Sequence, residues 1–68
     1  MTLKTLRINL GWTQTALADK SGVGQTAVRN AEEGKPIRAT TAKALADTLG
    51  QAYGREIKPS DLEGLHVQ

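Results

Sequence analysis

Four polar side chains within six residues, Gln25, Thr26, Arg29 and Asn30, combine the hydrogen-bonding types that can grip the edge of a nucleobase or a phosphate. A glutamine can bond bidentately to N6 and N7 of adenine, a threonine can donate, accept or set its methyl against that of thymine, and an arginine can fork onto guanine. Arginine and asparagine can also reach the sugar-phosphate backbone, so Arg29 and Asn30 stay open between the two roles. At about 100° per residue, with Gln25 as zero, Arg29, Thr26 and Asn30 fall within an arc of about 140°. Ala27, Val28 and Ala31 cluster at about 200° to 300°. A helix here therefore turns four polar groups outward and Ala27, Val28 and Ala31 inward. Any surface helix segregates in this way, so the residue types on the polar arc carry the reading.

A second set of groups suits phosphate. Thr13 and Gln14 stand where a helix begins, with free backbone N–H groups that favour an anion, and Lys35 and Arg38 supply positive charge after the candidate reading helix. Loop lysines and arginines serve solubility equally well, and Lys43 is read as simply solvated. Other chemistries find little support. The one histidine, His66, stands near the last residues, Glu32 and Glu33 diverge by about 100°, and Gly22-Val23-Gly24 lacks the spacing and lysine of a phosphate loop. With no cysteine there is neither a disulfide nor a thiolate metal site, and neither catalysis nor a cofactor is expected. The net charge of +2 permits a polyanionic partner without arguing for one. No apolar run reaches the length of a membrane span and no signal-peptide block is present, which reads as a cytoplasmic, soluble protein without membrane contact.

The elements that must position these groups are short. Sixty-eight residues make one domain, 1–68, and a chain of that length buries only about 60% of its unfolded surface. Leu3, Leu6 and Leu10 mark one helical face behind the N-cap candidate Thr2, and Gly11 stops it. Thr13 caps a second helix from Gln14 to about Lys20, with Trp12 and Leu17 placed to staple its entry, and Gly22 suits a left-handed C-cap. A third helix runs from Gln25 to about Glu33, followed by a loop over Lys35 to Arg38. Ala39, Ala42, Leu45, Ala46 and Leu49 define a fourth, to Gly50 or a turn beyond. Pro59 opens a last short helix through about Glu63, with 64–68 as a loose tail. The sum is all-α, with four or five helices.

Two short helices joined by a glycine turn, with a third behind, form the arrangement of a helix-turn-helix. Gln14, Leu17, Ala18, Gly22, Val28 and Ala31, followed by Glu32 and Gly34, resemble the Cro and lambdoid-repressor (XRE-like) class, and the likeness runs from about Leu3 to Leu62. The resemblance implies a compact bundle of the lambda-repressor type with its helix-turn-helix at about 14–33. It also implies base contacts from Gln25 and Thr26, a backbone contact from Gln14, and a structural ion pair between Arg7 and Glu32. Three features depart from the pattern: Gly24 where a serine or threonine usually caps the reading helix, the small Ala31, and a long connection from Gln51 to Ile57. The implied function is a transcriptional regulator, a repressor or Cro-like protein, on a double-stranded DNA operator and as a homodimer at least on DNA. No residues remain here for an effector domain. The alternative is an antitoxin or protein-interaction module, in which Leu65 and Val67 add a strand to a partner instead of covering Ile57 and Leu62.

Overall fold

The computed structural model describes residues 1–68. Helix α1 spans Leu3–Asn9, α2 Gln14–Ser21, α3 Gln25–Glu32 and α4 Ala39–Tyr53. A 3-10 turn covers Pro59–Asp61, and two-residue strands β1 (Pro36–Ile37) and β2 (His66–Val67) complete the chain. No helix is long and apolar enough to cross a membrane.

Local sequence accounts for the helix ends. The Thr2 hydroxyl accepts from the N–H of Thr5, and that of Thr13 from the N–H of Ala16, each satisfying a donor that helix geometry leaves free. Gly22 closes α2 at φ 74°, a left-handed conformation that costs a residue with a Cβ about 1–2 kcal/mol. That turn lets α3 begin at Gln25, capped at Gly24 without a side-chain bond.

Burial follows the helical spacing. Leu17 and Ala18 of α2, Val28 and Ala31 of α3, and Ala42, Leu45, Ala46 and Leu49 of α4 form the centre, joined by Leu3, Leu6, Ile37, Ile57 and Leu62. The alanines let helix backbones approach closely, and Trp12, half-buried, packs against the core beneath the ammonium of Lys20 in the last turn of α2, 5.0 Å from its ring centre. The Tyr53 hydroxyl donates to the Leu6 carbonyl at 2.8 Å, tying the end of α4 to the last turn of α1.

The connection expected over Gln51 to Ile57 is shorter than its sequence suggests, because α4 takes in Gln51 to Tyr53, and the remaining residues 54–58 turn tightly for a steric reason. Gly50 is buried against it, and a Cβ at this position would lie 2.7 Å from the Arg55 carbonyl oxygen and 3.2 Å from the Ile57 nitrogen. The Arg55 N–H bonds the Gly50 carbonyl at 3.0 Å, so the chain folds back tightly and drops Ile57 into the core.

Three sequence expectations are corrected. The last helix is only the three-residue turn Pro59–Asp61, because Leu62 turns to extended backbone (φ −96°, ψ 108°) as its side chain enters the core; the Asp61 carboxylate accepts from the Lys58 N–H at 2.9 Å at the start of the turn. The loop over Lys35–Arg38 contains β1, and the tail 64–68 is not loose. Its strand β2 pairs in parallel with β1, with Pro36 opposite His66 and Ile37 opposite Val67. The strand completes a sheet within the chain. Leu65 packs against the core, whereas Val67 stays 40% exposed and lines one surface groove with Leu62 and Leu65.

Candidate nucleic-acid interface

Helix α3 buries Val28 and Ala31 against the frame and leaves Gln25, Thr26 and Arg29 exposed. Asn30 is half-buried, because the segment after α3 folds back beside it and the Lys35 N–H bonds its carbonyl at 2.9 Å. Ala27, assigned inward by the wheel, is also only half-buried, and with Asn30 it lines an open groove toward Arg38 and Thr41 at the start of α4. Pro36 and Ile37 of β1, which packs beside α3, line the groove as well.

The position of α3 is fixed from beneath by charge. Arg7 Nε donates to Glu32 Oε2 at 2.6 Å and Nη2 to Oε1 at 3.1 Å, while Nη1 donates to the Trp12 carbonyl at 2.8 Å. Both side chains are nearly enclosed, Arg7 at 10% and Glu32 at 5% exposure. Three elements thus meet at one guanidinium: α1, the turn before α2, and the last residue of α3. Burial alone would push the Glu32 carboxyl up. The hydrogen bonds from Arg7 and Gln14, with the charges of Arg7 and Lys4, more than offset it and hold its pKa below the ordinary value of 4.5.

Gln14 belongs to this cluster, which its sequence position did not reveal. Its side-chain amide donates to Glu32 Oε1 at 3.1 Å, so one of its two N–H donors is engaged inward and one remains for a partner outside. The amide is thereby oriented rather than free to rotate. Thr13, at the same helix start, uses its hydroxyl oxygen as a cap acceptor and keeps its O–H as a donor.

The flanking charges divide. Lys35 pairs with Glu33 at 3.1 Å, with both side chains about half exposed or more, a contact worth about 0–1 kcal/mol and readily exchanged for another anion. Lys43 is held by Asp47 one turn along α4, which raises its pKa through the hydrogen bond and charge of that carboxylate. Arg29 and Arg38 are exposed and pair with no carboxylate. His66, on β2, is exposed as well.

Exposed amide, hydroxyl and guanidinium groups on a short helix, set on a buried frame by a two-helix unit with a glycine turn, form a surface suited to a grooved polyanion. No curated protein and no solved structure matches the chain. A family model described as helix-turn-helix matches residues 3–52, which takes in α1 to α3, α4 but for its last residue, and the ion pair between Arg7 and Glu32. The chain therefore belongs to the XRE-type helix-turn-helix family, whose domains bind double-stranded DNA.

Proposed function

We propose that the protein is a sequence-specific transcriptional regulator, a repressor or Cro-like protein, that lays α3 in the major groove of an operator. The carrying observation is the exposed Gln25 and Thr26 in the first turn of a helix whose other end is locked by Arg7 and Glu32. Gln25 and Thr26 read bases, and Arg29 and Asn30 reach further along the groove to a base or the backbone. Thr13, Gln14, Lys35 and Arg38 hold phosphates on either side, Gln14 through the N–H that Glu32 leaves free.

The protein acts as a homodimer on DNA. Its principal extents are 27 × 22 × 18 Å, so one copy spans less than the roughly 34 Å of one helical turn that separates two half-sites. The domain carries no catalytic role and works in the cytoplasm.

Selection of bound sequences from a random duplex library tests the reading. A two-fold symmetric consensus, with affinity that falls linearly in log salt, is expected. Recovery of no sequence at any salt would refute it and leave the domain as a protein-interaction module.

A further inference from the structure

On the reading just given, we propose that His66–Gln68 is part of the DNA-contacting surface: β2 holds the Lys35–Arg38 segment in place, and the Gln68 side chain is an additional DNA contact. The segment from Lys35 to Arg38 is anchored at two points. At one end the Lys35 N–H bonds the Asn30 carbonyl at 2.9 Å, and at the other the Gln68 N–H bonds the Ile37 carbonyl at 2.8 Å. The parallel register, Ile37 opposite Val67, carries the chain past Ile37 so that Gln68 arrives beside Arg38.

Gln68 there lines the same open groove as Ala27 and Asn30 of α3 and Thr41 of α4. No aspartate or glutamate lines this groove, and the Arg38 guanidinium on its wall pairs with no acidic side chain. Two carboxamides, a threonine hydroxyl and an unpaired guanidinium make a donor set for phosphate and sugar oxygens next to the reading helix. The family match ends at residue 52, so Gln68 lies outside the matched residues.

Two substitutions separate the side chain from the strand. Gln68→Ala keeps the backbone N–H and removes the carboxamide, whereas Gln68→Pro removes the N–H that bonds Ile37. On the selected operator, Gln68→Ala is expected to lose about 3- to 10-fold in affinity, the scale of one hydrogen bond. Its salt slope stays unchanged, because the amide carries no charge. Gln68→Pro is expected to lose more and to flatten the log–log salt slope by up to about 1.8, two phosphate contacts at about 0.9 each, as Lys35 and Arg38 lose their register. Wild-type affinity and slope in both variants, with Gln25→Ala still weakened on the same DNA, would overturn the proposal and leave the functional reading standing. A wild-type protein that selects no DNA would bring down the functional reading itself.

Discussion

Glu32→Gln is the most informative single substitution in this molecule. Three donors, Arg7 Nε, Arg7 Nη2 and Gln14 Nε2, converge on the two Glu32 oxygens at 2.6 to 3.1 Å. A glutamine offers one oxygen and an NH2 group, so at least one donor must face another donor. The Arg7 guanidinium, 10% exposed, also loses its only counter-charge. Breaking a buried pair from one side costs about 3–5 kcal/mol. Chains of this length are stable by roughly 3–10 kcal/mol at about 0.05–0.15 kcal/mol per residue, so the variant should stand near the edge of folding. The effect should depend on pH in a defined direction. A carboxyl whose folded pKa lies below its unfolded value contributes stability above about pH 4.5, and that contribution is lost as pH falls through the folded pKa. Urea unfolding of both proteins, at pH 7 and at stepwise lower pH, should therefore show a gap that is widest at neutrality and narrows below about pH 4.5. A cost under about 0.5 kcal/mol at pH 7, or one that does not narrow in acid, would refute the account. Joint replacement by Arg7→Met and Glu32→Leu should restore much of the loss, since an apolar pair of similar volume leaves no stranded charge.

Other outcomes follow from single contacts. Gln25→Ala should cost about 1–3 kcal/mol on the selected operator and relax preference at one or two base pairs, read by competition among point-mutated duplexes; uniform weakening would move Gln25 to a backbone role. Gly50→Ala gains about 1 kcal/mol in helix propensity, but its Cβ would meet the Arg55 carbonyl oxygen at 2.7 Å. A net destabilisation of about 1–3 kcal/mol is expected in thermal melts, and a raised melting temperature would show that the 55–57 connection yields. Tyr53→Phe should lose about 0.5–1.5 kcal/mol in urea unfolding with no change in DNA specificity, since it removes only the bond to the Leu6 carbonyl.

Much of the frame was legible because its signals are local. Thr2 and Thr13 cap the helices that follow them, Gly22 takes the left-handed conformation, and the wheel over 25–31 separates the buried Val28 and Ala31 from the exposed Gln25, Thr26 and Arg29. The contacts that escaped detection join distant parts of the chain. Nothing in Pro36-Ile37 or His66-Val67 alternates long enough to mark a strand, and their pairing depends on where α4 and the Pro59–Asp61 turn return the chain. Gln14 was readable as a phosphate ligand, but its bond to Glu32 requires the crossing of α2 and α3. Ala27 shows the limit of the wheel itself, since its burial depends on a neighbouring segment and not on the helix.

The two-residue ladder between β1 and β2 also sets an order of local opening. Its amides are shielded by few bonds and by exposed side chains on β2, whereas those of α4 lie around Leu45 and Leu49, which are wholly buried. Deuterium should therefore enter at Gln68 and Ile37 through a sub-global fluctuation, long before it reaches α4, whose exchange requires the whole molecule to unfold. The segment flanking the reading helix then undocks and redocks at a free energy well below that of global unfolding, and a duplex bound across it would slow its exchange without altering that of the core.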